Sequence, residues 1–275
     1  MHRAASSTAA EDIRSPQYDA YVWGSPDAAP TQQLAPCPIC QTALLLLNEK
    51  GLRTNRHYID FNTSPTWLTR AIGDRMPAVV DQSTIPPVWV GGLPDISAYL
   101  EDRHPDPPLG VIPQEWDGSS NDVDVDGLWY AFLDYLRSPA GSDELAMQEL
   151  QRRLSAVKER LSAQGGGPYL QGADISAQDM CLAPRLHHIL TALPYLKMQP
   201  AAEAPAFLLM RNWQLPQELL PLADYASRMR SRDSWSGTST PNSRIVNQWR
   251  AFSGLEGRRA RPPTYEYTQP PVEPI

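Results

Sequence analysis

The sequence predicts a mixed α/β half followed by an all-helical half. Strand and helix signals alternate from Tyr18 to Arg103, a stiff proline-rich break (HPDPP) follows at His104, and beyond it only helical periodicity remains. Alternating signals imply a sheet covered by helices, whereas helix-only patterning implies a bundle. The expected organisation is an arm over residues 1–17, an α/β domain over 18–104, a linker with an acidic loop over 105–127, a helical domain over 128–235 and a proline- and arginine-rich tail over 236–275.

Residues 18–23 are aromatic and β-branched enough for a strand. A turn-rich stretch leads to Cys37, and the run PICQTALLLLNEKG then reads as a helix with Pro38 in its first turn and Gly51 as its stop. Residues 56–61 form a second expected strand, and Ser64-Pro65 opens a short helix through Ala71. Strands at 77–81 and 87–90 and a helix at 94–103 complete the order β-α-β-α-β-β-α, a thioredoxin-like arrangement. In the second half, residues 128–137 form one helix and 142–164 another, with Leu145, Leu150, Leu154, Val157 and Leu161 on one face. Two more helices are expected at 176–193 and 217–230. Residues 236–275 carry no core-forming pattern. Residues 1–16 read as a disordered extension, since they lack the apolar core of a signal peptide.

The chain's 275 residues suffice for two small domains, each with its own core. A net charge of −7, with both signs mixed along the chain, excludes the clustered basic face of a nucleic-acid binder. Apolar runs such as Ala43 to Leu47 fall far short of the roughly 18 residues of a membrane span. Three cysteines do not make a secreted disulfide framework, which favours a reducing compartment.

The segment Cys37-Pro38-Ile39-Cys40 is the sharpest chemical feature. Cys37 precedes a helix whose first turn offers unpaired N–H groups and a positive dipole end, so its thiolate is stabilised and becomes a nucleophile near neutral pH. Cys40 lies one turn on, where it resolves a mixed disulfide if the pair is redox-active; the bland reading is two inert helix-start cysteines. No second Cys-x-x-Cys or His pair completes a zinc site, so no metal is expected. Met76-Pro77 opens the third expected strand. Ser176-Ala177-Gln178-Asp179 is a capping box with Asp in the third position, a stabilising device. Asp122, Asp124, Asp126 and Gly127 imitate a calcium loop whose final ligand position holds Leu133, so they read as a solvated acidic loop. His187 and His188 read as a partly buried polar pair.

The runs CPICQTALLLLNEKG, MPAVV, YLEDRHPDPPL and GPYLQGADISAQDMCLAPRLHHI, together with MRSRDSW, resemble the plant-type dehydroascorbate reductases and their relatives, the omega-class and chloride-intracellular-channel proteins of the glutathione S-transferase superfamily. The resemblance implies the glutathione-transferase fold over about residues 18–235. It implies reduction of dehydroascorbate by glutathione as co-substrate, with Cys37 matching the nucleophile. Met76 then matches the residue before a cis-proline, Pro77, whose backbone faces the active cysteine and pairs with bound glutathione; His188 matches a histidine of the helical domain. The implied setting is the cytoplasm or plastid stroma.

Other matching positions depart from the family. Ala20 and Ser64 stand where it has lysines, and Pro36 where it has an acid. Leu93-Pro94 replaces the Ser-Asp pair that holds the γ-glutamyl end of glutathione, with Asp95 one residue on as the remaining carboxylate. Two readings therefore stay open: a reductase or transferase with an altered glutathione pocket, acting on a small oxidised substrate, or a non-catalytic accessory subunit. The second docks into a protein complex through the loop 195–216, which carries Phe207, Leu208, Leu209, Met210 and Trp213, and through tails that carry Trp249, Phe252 and Arg258 to Arg261.

Overall fold

The computed structural model describes residues 17–25, 33–60, 64–73, 75–114, 123–139, 142–163, 167–200 and 210–254. The readings made for residues 1–16, for Asp122, for Phe207 to Leu209 and for the chain after Gly254 lie outside these. Strand β1 (Tyr18–Ser25) is the centre of the sheet. Its parity decides which core each side chain enters, because successive strand residues point to opposite faces. Tyr18, Ala20 and Val22 enter the main core, while Tyr21 packs on the other face against a small cluster of Ile59, Leu68, Ile72 and Ala78.

A two-residue strand β2 (Gln33–Leu34) folds back on the end of β1, pairing Gly24 with Leu34. Strand β3 (Thr54–Ile59) runs parallel to β1, and β4 (Ala78–Asp81) antiparallel on its other side, with Tyr21 opposite Ala78. Strand β5 (Val88–Gly91) pairs antiparallel with β4. Helices α1 (Pro38–Glu49) and α3 (Leu93–Arg103) contribute to the main core, and α2 (Thr66–Ile72) packs with Leu68 and Ile72 on the smaller one. The predicted β-α-β-α-β-β-α domain is present, with β2 as an addition.

The second half comprises α4 (Val125–Arg137), α5 (Glu144–Ala163), α6 (Ala177–Leu196) and α7 (Leu220–Arg230), with α8 (Asn242–Phe252) behind them. A hairpin of β6 (Met198–Pro200) and β7 (Met210–Asn212) leads to Trp213, which is buried. The capping box at α6 is formed: the Asp179 carboxylate accepts from the Ser176 amide at 3.0 Å and hydroxyl at 2.7 Å, the Leu170 amide at 3.0 Å and the Tyr225 hydroxyl at 2.9 Å.

Three expectations need correction. Leu145 is 81% exposed, whereas Leu150, Leu154 and Val157 are buried. At about 100° per residue, Leu145 lies some 140° round the helix from Leu150, off the stripe that faces the core. Asp124 and Asp126 are not free loop carboxylates: Asp124 caps α4 by accepting from the Gly127 amide at 2.7 Å and pairs with Arg153, and Asp126 pairs with Arg185 at 3.3 Å. The region 236–275 is not without a core-forming pattern either. Helix α8 lies within it and buries Ile245, Val246 and Trp249, which at i, i+1 and i+4 share one helical face.

The end of α1 is pinned to the helical half. Glu49 accepts two parallel bonds from Arg232, at 2.7 and 2.8 Å, and a third from the Ser234 hydroxyl. Burial pushes the Glu49 carboxyl up, but the Arg232 and Ser234 bonds more than offset this and hold it below the usual carboxylate range. Lys50 donates to the carbonyls of His104 at 2.6 Å and Pro107 at 2.9 Å and pairs with Glu101 at 2.8 Å, anchoring the break between the halves. Glu49→Gln leaves the half-buried Arg232 guanidinium without its counter-charge. The expected loss is about 2 kcal/mol of unfolding free energy, measured by urea denaturation with helical and tryptophan signals; a loss under about 0.5 kcal/mol places the pin elsewhere.

Candidate functional site

The site begins with the local geometry of Cys37. Its backbone is extended (φ −119°, ψ 105°), as an N-cap requires, and its sulfur accepts from the Cys40 amide at 3.5 Å. Pro38 at the start of α1 has no N–H, so the remaining first-turn amides are the ones directed toward the sulfur. A hydrogen bond from the Cys40 thiol is the strongest influence on Cys37. With the amides of Cys40 and Ile39 and the charge of Arg185, it outweighs burial and holds the Cys37 thiol below its ordinary range. Cys40 is the opposite case. It is 0% exposed, and burial followed by the neighbouring Cys37 sulfur pushes its thiol well up, although its sulfur accepts from the Trp23 amide at 3.3 Å. Cys37 is thus the partly exposed acceptor, Cys40 the protonated donor.

The Met76–Pro77 peptide is cis. The paired register of β1 and β4 ends with Tyr21 opposite Ala78, and just beyond it Trp23 and Met76 pack against the same small cluster. Trp23 is the residue whose amide reaches the Cys40 sulfur, so Met76-Pro77 and the cysteine pair share one end of the sheet. The start of α3 reaches the same end, since the Gly92 amide donates to the Pro77 carbonyl at 2.9 Å. A Cβ at Gly91 would lie 2.8 Å from the Arg75 carbonyl oxygen, so this close crossing of two backbones requires glycine. Leu93 is buried in the core, and Pro94 has no N–H to offer. Asp95 accepts from the Arg75 guanidinium and from the Gln114 amide at 2.7 Å.

His188 sits in an aromatic core rather than a half-polar pair. It is 1% exposed, and its Nδ1 accepts from the Trp249 indole N–H at 3.1 Å, so the neutral ring carries its proton on Nε2. Trp129 stands edge-on to both rings, at 6.1 Å from His188 and 5.3 Å from Trp249. Burial pushes His187 down to about 3 and His188 well below its ordinary value. Trp249 and Phe252, expected as docking residues of a tail, are engaged within the chain: their rings stand 5.3 Å apart, and Arg137 lies 4.2 Å over Phe252.

Sequence reasoning missed what surrounds the cysteine loop. Arg185 is buried on α6, donates to the Cys181 carbonyl at 2.9 Å and supplies the positive charge felt by Cys37. Thr240 and Gln248 hydrogen-bond the loop that precedes Cys37. The one available signal was the Ile245, Val246, Trp249 spacing, which marks a helix but not its partner. Cys181 is buried and pushed up to about 11, chiefly by burial, which leaves it an inert thiol. Among the described residues, no group of three or more His, Cys, Asp or Glu gathers to hold a metal, and no helix is long and apolar enough to cross a membrane.

This architecture matches solved structures. A Chlamydomonas reinhardtii dehydroascorbate reductase aligns over 86% of this chain and 98% of its own, with a TM-score of 0.68 and 24% identity. The Caenorhabditis elegans chloride-intracellular-channel homologue EXC-4 aligns over 86% of both chains, with a TM-score of 0.62 and 16% identity. Omega-class glutathione transferase 1C of Trametes versicolor gives a TM-score of 0.60 at 17% identity. No protein-family profile matches the sequence. Among curated proteins, glutathione S-transferase DHAR2 of Arabidopsis thaliana is 28% identical over 226 residues, covering 82% of this chain and 92% of its own. The chloroplastic DHAR3 of the same plant is 27% identical over 219 residues, 79% of this chain and 74% of its own. The chain is similar in sequence to dehydroascorbate reductases named as glutathione S-transferases, and it shares the fold of the solved ones. The glutathione-transferase fold accounts for the arrangement of a thioredoxin-like domain followed by a helical domain.

Two outcomes follow from the protonation asymmetry. Cys40→Ala removes the thiol donor, so the pH profile of Cys37 alkylation by iodoacetamide should move to higher pH and its rate at pH 7 fall about fivefold; an unmoved profile assigns the activation to the helix amides alone. His187 and His188 bind protons in the unfolded chain below about pH 6.5 but not in the folded one. Stability should therefore rise with pH between about 5 and 6.5, by up to roughly 1.4 kcal/mol per pH unit for each histidine. Thermal melts at pH 5 and 7 of the native chain and of His188→Gln measure this, the variant showing the shallower dependence.

Proposed function

We propose that the chain is a glutathione-dependent thiol reductase or transferase of the dehydroascorbate reductase type, with Cys37 as nucleophile. The observation that supports this most directly is a partly exposed sulfur capping α1, held below its ordinary range by the donors of its own first turn. The curated relatives are named glutathione S-transferases, which supplies the co-substrate class.

In this reading the Cys37 thiolate adds to a carbonyl carbon of dehydroascorbate. A glutathione thiolate then attacks the Cys37 sulfur, the carbon–sulfur bond breaks, and its electron pair stays with the substrate, which takes up protons and leaves as ascorbate. The enzyme is left as a mixed disulfide with glutathione. A second glutathione thiolate attacks the glutathione sulfur of that bond, releasing oxidised glutathione and the Cys37 thiolate. Two glutathiones thus supply the two electrons that the substrate gains. The Cys40 thiol favours the Cys37 thiolate through its hydrogen bond, while its own burial disfavours the thiolate it would need to act as resolving nucleophile.

Glutathione lies, in the same reading, along the backbone at Met76-Pro77. Its γ-glutamyl end meets the Asp95–Arg75 pair, whose opposite charges complement the ammonium and carboxylate of that group. Leu93 and Pro94 offer no side-chain partner there, so binding is weaker than a Ser-Asp corner gives, by about tenfold for each hydrogen bond lost. His188 shapes the helical wall from within the core. The reaction needs a reducing compartment; the names of the relatives include both cytosolic and chloroplastic forms.

Assay with dehydroascorbate and glutathione tests the proposal. Turnover should be abolished by Cys37→Ser, and Asp95→Ala should raise the KM for glutathione about tenfold with kcat little changed. Full activity in Cys37→Ser, or none in the native chain, overturns it.

A further inference from the structure

The loop that delivers Cys37 is held from the far end of the chain. Ala35 and Pro36 link Leu34, the last residue of β2, to the N-cap of α1. The Thr240 hydroxyl donates toward the Leu34 carbonyl at 3.4 Å and the Ala35 carbonyl at 3.3 Å. The Gln248 side-chain amide donates to the Pro36 carbonyl at 2.8 Å, across a separation of 212 residues. We propose that Gln248 and Thr240 are positioning residues for Cys37: α8 and the turn before it fix the peptide plane from which the reactive sulfur hangs.

The physical argument runs through the Pro36–Cys37 peptide. A peptide unit is planar, so the Pro36 oxygen and the Cys37 N–H belong to one rigid group. Gln248 grips the oxygen, and the Cys37 N–H donates to the Ala35 carbonyl at 2.6 Å on the other side. With both edges held, the remaining freedom is rotation about the Cα bonds and χ1 of Cys37 itself, which the first-turn amides of α1 select. Gln248 is presented from a firm base: Ile245 and Trp249, its neighbours on α8, are buried, and Trp249 is bonded to His188. Thr240 is itself buried. The charged and titratable groups that act on Cys37 are Cys40 on α1 and Arg185 on α6. Gln248 and Thr240 carry no charge, so replacing them changes the placement of the sulfur rather than the field around it.

The inference rests on Cys37 being the reactive sulfur, and the experiment separates the two. Iodoacetamide labelling of the full chain is followed for each cysteine by mass spectrometry between pH 5 and 9, in the native protein and in Gln248→Leu, Thr240→Val and Thr240→Ser. Cys37 in Gln248→Leu and Thr240→Val should label about three- to tenfold more slowly at pH 7, with a profile moved to higher pH, while Thr240→Ser keeps the native profile. Native profiles in both of the first two variants, with Cys40 and Cys181 still protected, overturn the inference. If Gln248→Leu loosens the fold, seen as labelling of Cys40 and Cys181, the Thr240→Val and Thr240→Ser pair decides alone, equal profiles counting against it. A native Cys37 that labels like an ordinary thiol, with a midpoint near 8.5, overturns the reactive-sulfur reading and this inference with it.

Discussion

Helix α1 has no solvent face along most of its length, and the rest of the molecule is arranged around that constraint. Its residues Cys40 to Leu47 are all buried, including five consecutive apolar ones from Ala43. An amphipathic helix can lie on one partner, but a helix apolar all round needs partners on more than one side. The β-sheet supplies one and α6 the other. The Thr42 hydroxyl marks the contact, reaching both the Pro38 carbonyl of its own helix at 2.9 Å and the Met180 carbonyl of α6 at 3.0 Å. One continuous core consequently runs from β1 through α1 into α4, α6 and α8.

Locking α1 in this way also locks its two ends. At the C-terminal end, Glu49 and Lys50 pin the junction between the halves through Arg232 and the carbonyls of the proline-rich break. At the N-terminal end, the unpaired amides of the first turn stay aimed at one point, and Cys37 occupies it. The two cysteines of the motif differ only by one helical turn, yet that turn moves Cys40 from the mouth of the helix into the apolar core. Burial there keeps it protonated, and a protonated thiol next to Cys37 is a donor that favours its ionisation. The chemical difference between two identical side chains therefore comes from their depth in the same packing.

The elements of the first half, and the start of α6, were legible because their signals are local. Proline at the start of α1, β-branched and aromatic residues in β1 and β4, and the Ser176–Asp179 capping box each act through neighbours a few positions away. Cys37, Cys40 and Met76-Pro77 could be singled out on the same grounds. Where the reading failed, long-range contacts decided. Asp124 and Asp126 look like a solvated acidic loop until Arg153 and Arg185, from α5 and α6, are seen beside them. Helix α8 was hidden by its setting among proline, serine and arginine, although Ile245, Val246 and Trp249 had helical spacing. Leu145 counted as a core residue by type and proved exposed by angle.

What the sequence determined alone is the order of the elements in the thioredoxin-like half and the presence of a sulfur at a helix start, since propensity, capping and turn chemistry operate over one or two turns of chain. What only the tertiary structure decided is the state and surroundings of that sulfur. The buried Arg185, the protonated Cys40, the Asp95–Arg75 pair and the grip of Thr240 and Gln248 on the preceding loop come from segments up to 212 residues apart. Hydrogen bonds and charges depend on distances of a few ångströms, and sequence separation does not encode those distances until the chain has packed.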